Sequence, residues 1–197
     1  MSPLITPLLP FKAHGAPSGT DSPQAPRALT VISAISVERP SDRPAQLQVT
    51  FRLSPNGLSG LHLPLPGSAP RRRDGLWNHT CLECFFASPG HSPYWEVNLS
   101  PSGDWNIYRL ESYRKGLQTA DEYTQVSFKS QSGDTTGLQV TFSMPLPAAL
   151  QGMGPLEWNV TAVIQASDGS LSYWAPRHGH GAPDFHDRRL WMQDPLL

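Results

Sequence analysis

No stretch of this sequence holds the roughly 18 to 20 consecutive apolar residues that a membrane-spanning helix needs. The opening segment, Met1 to Pro10, has no positive residue ahead of its short apolar run, and prolines break that run. It is therefore not expected to act as a secretory signal, and a cytoplasmic location is the expectation. Basic residues do not outnumber acidic ones: 15 Lys and Arg stand against 16 Asp and Glu, for a net charge of -1. A nucleic-acid or anionic-membrane partner usually needs a basic excess, so neither is expected. The one basic run, Arg71-Arg72-Arg73, reads as a solvated bend. Cysteine is scarce. Cys81 and Cys84 form a C-x-x-C pair with no second pair to complete a structural zinc site. On a strand, positions 81 and 84 face opposite sides, which suits two small buried residues. No G-x-S-x-G elbow, dinucleotide fingerprint or phosphate loop occurs. No internal repeat and no long amphipathic helix can be found, and no enzyme class is suggested.

What the chain does contain is a series of short strands separated by proline and glycine. Residues 1–27 are a Pro/Gly-rich lead-in, either a tail or a loosely packed strand-bearing segment, and residues 28–197 form the domain. Val31 to Val37 is β-branched. Leu47, Val49, Phe51 and Leu53 alternate with polar residues, the period of a half-buried strand. Residues 54–75 read as a long loop. Thr80 to Ala87, Tyr94 to Leu99 and Trp105 to Leu110 follow as strands, the last two joined by a hairpin turn at residues 100–104. Further strands are expected at Tyr123 to Ser130, Leu138 to Met144, Leu156 to Ile164, Leu171 to Trp174 and Arg189 to Met192, with one helical turn between Pro145 and Leu150. About nine strands with no long helix predict an all-β protein, an antiparallel β-sandwich of two sheets with jelly-roll or immunoglobulin-like architecture.

One face of this pattern is unusual. In Tyr94 to Leu99, Glu96 and Asn98 share the side that Val97 and Leu99 do not occupy. Glu83 lies on the corresponding face of its strand, Asn106 and Tyr108 on that of the next, and Asn159 and Thr161 also leave the core side. These residues read either as the wet side of an antiparallel sheet or as a binding face. Carboxylates, carboxamides and aromatic rings with few lysines suit a polyhydroxylated ligand, whose hydroxyls both donate and accept and whose C–H faces pack on flat rings. Two glutamates on neighbouring strands also leave room for glycosidase chemistry. Near the C-terminus, His178, His180, Asp184, His186 and Asp187 read either as a metal-binding loop or as a surface loop held by hydrogen bonds.

The block from Leu76 to Glu83, the block from Tyr94 to Tyr108, Ser112 to Arg114, and the closing Pro183-Asp-Phe-His186 after Ser172 to Ala175 resemble the DOMON-like domains related to family 9 carbohydrate-binding modules. The resemblance spans most of residues 29–193. It implies a small bacterial β-sandwich that binds a sugar or similar small polar ligand without catalysis. Trp77, Trp105 and Trp174 are then candidates for ring stacking, with Trp95 expected on the core side. Glu83, Glu96, Asn98, Asn106, Tyr108 and Arg114 are candidates for hydrogen bonding, and Asp184 and His186 for the rim. Relatives implied by the same resemblance hold calcium or haem. A haem-binding electron-transfer domain, with Met144 or Met153 and His178 as axial ligands, is the alternative. An interaction domain without a small ligand is the third.

Overall fold

A computed structural model describes residues 2–11, 29–64 and 69–193. The described residues form twelve strands and four single 3₁₀ turns. The strands are β1 Leu4–Pro10, β2 Val31–Glu38, β3 Gln46–Leu53, β4 Cys81–Ala87, β5 Tyr94–Leu99 and β6 Trp105–Leu110. They continue as β7 Gln118–Thr119, β8 Ser127–Gly133, β9 Gly137–Pro145, β10 Glu157–Gln165, β11 Leu171–Ala175 and β12 Met192–Gln193. All strand pairings are antiparallel, in the order β7-β6-β5-β4-β10-β11-β1-β2-β3-β9-β8, with β12 beside β10. β1 joins two sheets. Leu4 to Leu8 pair with β2, while Leu9 and Pro10 pair with β11. The all-β, two-sheet antiparallel architecture expected from the strand pattern is the fold observed. Within the lead-in, residues 4–10 supply the strand that links the sheets; residues 12–28 lie outside the described residues.

Alternation explains the second sheet. Leu47, Val49, Phe51 and Leu53 of β3 are buried, while Gln48 and Arg52 are exposed. A slip of one residue would expose all four, each worth roughly 1.5–3 kcal/mol when buried, so the register is pinned. The first sheet differs. Every residue of β4 and β5 is buried, polar ones included. Its inner face packs in the main core, where Cys84, Trp95 and Val97 lie. Its outer face carries a second cluster that includes Cys81, Phe85, Tyr94, Tyr108, Phe185 and Trp191. The two cysteines therefore do face opposite sides of β4.

Several expected boundaries move. The strand expected from Tyr123 begins at Ser127, because Tyr123 closes a turn onto Ala120 and its hydroxyl donates to the Pro145 carbonyl at 3.1 Å. The strand expected at Arg189 starts at Met192. Asp187 accepts from the Arg189 N–H and caps a 3₁₀ turn over Arg188–Leu190 first. In the arginine run Arg71 and Arg73 are exposed, as a solvated bend requires, but Arg72 turns inward. Arg72 donates to Asn106 Oδ1 at 2.8 Å and to the carbonyls of Ala120 and Tyr123, and its guanidinium lies 4.5 Å from the centre of the Trp105 ring.

The β8–β9 hairpin closes on Gly137, at φ 77°, where an added Cβ would stand 2.1 Å from the Leu53 carbonyl oxygen. Strain and clash act at the same point. Gly137→Ala is expected to cost at least about 2 kcal/mol and lower Tm by several degrees. A thermal melt that matches the parent would contradict this.

Candidate functional site

The strand register sets polar side chains in two rows across the outer face of the first sheet. Thr161, Glu83, Asn98 and Asn106 pair in sequence across β10, β4, β5 and β6. Asn159, Phe85, Glu96 and Tyr108 make the adjoining row. Glu83 and Glu96 are thus diagonal neighbours on adjacent strands, a spacing within reach of long side chains. The face is not wet. Glu83 is 3% exposed, Glu96 5% and Asn98 0%.

Three loop segments cover it. The segment from Pro183 to Trp191 crosses the sheet and is fastened at the Phe185 carbonyl, which accepts from Asn159 Nδ2 at 3.1 Å and Trp191 Nε1 at 2.9 Å. Arg188 secures the same segment through Glu157 and the carbonyls of Ser88, His91 and Ser92. On another side, a 3₁₀ turn at Leu76–Asn78 presents Trp77, which is 37% exposed. Beyond β6, Arg114 turns the chain at φ 53°, the one non-glycine residue with positive φ among those described. Its N–H donates to Tyr94 Oη at 3.2 Å, and its guanidinium to Asp184 Oδ1 at 3.0 Å. Tyr113 donates to the other Asp184 oxygen at 2.5 Å.

Between these segments lies a cavity of about 440 Å³. Glu83, Glu96, Phe85 and Val163 line it from the sheet; Trp77, Arg114, Tyr173, Phe185 and His186 are among its remaining lining residues. Its volume falls within the usual range for small-molecule sites. A second hollow, lined by Asp74, Gly75, Tyr108 and Thr119, shares Trp77 and Leu117 with the first.

The electrostatics follow from the cover. Burial pushes Glu83 well above the ordinary carboxylate range, and the charge of Glu96 pushes it further. Burial raises Glu96 as well, against the hydrogen bond from Asn98 and the nearby Arg114 charge. Thr161 donates to Glu83 Oε2 at 3.0 Å, and Asn98 Nδ2 to Glu96 Oε1 at 2.8 Å. Burial works to raise Asp184, but hydrogen bonds from Tyr113 and Arg114 outweigh it and hold the carboxyl low. Burial, aided by the Arg114 charge, pushes the His186 imidazole down to about 4. His186 Nδ1 lies 2.7 Å from Tyr94 Oη. Tyr94 Oη also accepts from the Arg114 N–H, and the lowered His186 ring is neutral near pH 7.

Of the residues singled out in the sequence, the fold brings Trp77, Glu83, Glu96, Arg114 and His186 to the cavity, and Asp184 holds Arg114 at its edge. Trp105 and Trp174 are not there. Both are 3% exposed and packed in the main core between the sheets, the inward side of their strands, as Trp95 is. Asn98 and Asn106 lie beneath the surface. Asn106 accepts from Arg72 and donates to Asp74 and Tyr108, so its role is to tie the floor together. Tyr108 belongs to the neighbouring hollow and meets the Trp77 ring edge-on at 5.9 Å. Phe85, Tyr173, Phe185 and Leu117 escaped sequence reasoning. They come together only through strand order and the crossing of the C-terminal segment.

Of the C-terminal histidine and aspartate residues, Asp184 and His186 stay together, Asp184 Oδ1 accepting from the His186 N–H at 3.1 Å, while others turn elsewhere. His178 hydrogen-bonds the Leu9 carbonyl at 2.8 Å, and Asp187 takes Arg189. Among the described residues, no group of three or more His, Cys, Asp or Glu is placed to hold a metal ion. Haem does not fit the expected axial residues either. Met144 is 1% exposed inside the sandwich, Met153 packs against the same core, and none of Met144, Met153 and His178 lines the cavity. No described helix is long and apolar enough to cross a membrane.

No family model and no curated protein matches this chain. Among solved structures, a candidate carbohydrate-binding protein from Bacteroides uniformis aligns over 97% of this chain and 85% of its own, at 13% identity and a TM-score of 0.58. The two share a fold. A family 9 carbohydrate-binding module from Caldicellulosiruptor kristjanssonii, solved with glucose, aligns over 92% and 91% at 11% identity and a TM-score of 0.42.

The buried carboxyls make stability depend on pH. A carboxyl raised in the folded state stabilises fully below its unfolded value and loses that contribution as pH rises through the folded value. His186, lowered in the folded state, acts oppositely and only below about pH 6.5. Denaturant titrations at about pH 6.5, 7.5 and 8.5 lie above the His186 window, and comparison with the glutamine variants separates the glutamates from the buried thiols of Cys81 and Cys84. Stability is expected to fall across this range in the parent, and to fall less in Glu83→Gln and Glu96→Gln. Equal slopes in parent and variants would refute the assignment.

Proposed function

We propose that this protein is a non-catalytic binding domain for a carbohydrate, taken up in the cavity over Glu83 and Glu96. The observation that carries the reading is the mixture of groups around one opening. Carboxyl and imidazole groups can match sugar hydroxyls, Arg114 adds a fixed donor, and Trp77 and Tyr173 offer flat apolar surface for sugar C–H faces. The covering loops are tied down by hydrogen bonds, so little order is lost on binding. The fold likeness to the Bacteroides uniformis candidate carbohydrate-binding protein and the resemblance of the central block to family 9 modules support the same reading.

The reading assigns Glu83 and Glu96 to ligand contact and includes no hydrolytic step. Incubation with sugar polymers is expected to release no reducing ends.

Calorimetry across simple sugars tests the proposal. Trp77→Ala removes the one tryptophan on the opening and is expected to weaken binding about 5- to 30-fold, or about 1–2 kcal/mol, with little change in Tm. Arg114→Gly relieves a left-handed backbone while deleting the guanidinium. It should hold Tm within a few degrees of the parent yet lose affinity. Unchanged affinity in both variants would reject this site, and no binding of any sugar would reject the function.

A further inference from the structure

We propose that the sugar this cavity selects carries a cationic amine, a hexosamine rather than a neutral hexose, with its ammonium seated at Glu83 and Glu96. The inference rests on the carbohydrate reading and deepens it by naming the ligand class.

The argument begins with the donors and acceptors of the floor. Glu83 Oε2 accepts from Thr161, and Glu96 Oε1 accepts from Asn98. Glu96 Oε2 accepts no hydrogen bond from the described residues, although Glu96 lines the cavity. Independently, Asn98 Oδ1, on the residue paired with Glu83 and bonded to Glu96, is wholly buried and has no hydrogen-bond partner. A buried acceptor without a donor is costly. The floor is therefore rich in acceptors and short of donors.

The charged and titratable groups around it do not correct the shortage. None of the ion pairs among the described residues includes Glu83 or Glu96. Arg114 reaches over from the loop after β6 and its charge acts on both glutamates, but it forms an ion pair with neither; its guanidinium is bonded to Asp184. His186 from the C-terminal segment is neutral, and its Nδ1 is taken by Tyr94. Asp74 and Tyr108 are occupied with Asn106 and each other.

Two species can answer such a floor: a proton on the glutamates, or a ligand made of donors. A sugar hydroxyl brings one donor, and its lone pairs then face carboxyl oxygens. An ammonium brings three donors and no acceptor. It also supplies the countercharge that buried carboxylates lack, in a site whose aromatic walls favour a cation. Binding of the amine should therefore ionise a glutamate and release its proton, whereas a neutral sugar leaves that proton in place.

The test is calorimetry at about pH 6.5, where a sugar ammonium is charged, with glucosamine, glucose, N-acetylglucosamine and ethanolamine as probes. Running each in buffers of different ionisation heat counts protons released. Glucosamine is expected to bind about tenfold or more tighter than glucose and N-acetylglucosamine, with proton release seen for glucosamine alone. In Glu96→Gln, and in Glu83→Gln as a second variant, the glucosamine-to-glucose ratio should collapse towards one. A merely structural role would lower both affinities alike. Glucose binding as tightly as glucosamine overturns the amine inference while leaving carbohydrate binding intact. Ethanolamine matching glucosamine overturns the sugar part of it. Failure of every sugar to bind removes the underlying function as well.

Discussion

Two carboxyl groups lie on a sheet face that the protein's own loops largely cover, with no bonded cation to offset them. The rest of the site follows from that constraint. Removing a carboxylate from water is costly, and a protein without a countercharge answers by keeping the group protonated. Glu83 and Glu96 are therefore neutral donors and acceptors over much of the pH range, unlike the charges their sequence positions suggest. The cover that imposes this state also shapes the cavity. The same Phe185 carbonyl that fixes the C-terminal segment over the sheet brings the Phe185 ring and His186 to the opening. Folding the cover and building the site are one event.

The sheet beneath is rigid for ordinary reasons. Its inner face is packed with apolar side chains, and β1 stitches it to the second sheet, so the floor cannot shift without disturbing the main core. Arg72 adds a tie from outside. It spans Trp105 on the core side and Asn106 on the polar side, and through Asn106 it fixes Asp74 and Tyr108. A binding site on such a floor is organised before any ligand arrives, which reduces the ordering cost of binding.

Most of the fold was legible from alternation. The strands at Tyr94–Leu99 and Trp105–Leu110 match their expected limits, because turn residues bracket them and period-2 patterning fills them. The polar face was legible for the same reason: Glu83, Glu96, Asn98 and Asn106 do share one side. What alternation could not reveal is whether that side meets water. The cover comes from residues 74–79, 111–117 and 183–191, distant in sequence from the strands they shield, and no local pattern encodes their docking. The tryptophans were harder still. Trp105 and Trp174 stand on the inward parity of their strands, and the attraction of an aromatic ring for a sugar could not outweigh the burial available between the sheets. Arg72 was lost among three consecutive arginines, since only the fold distinguishes the one that turns inward.

Carbon-13 NMR of the glutamate side-chain carboxyls across pH, with Glu83→Gln and Glu96→Gln used for assignment, tests the central claim most directly. The account predicts that the resonances of Glu83 and Glu96 titrate well above those of the remaining glutamates. It also predicts that both move when a binding sugar is added. If every glutamate titrates together near the ordinary value of about 4.3, the floor is solvated and the account is wrong.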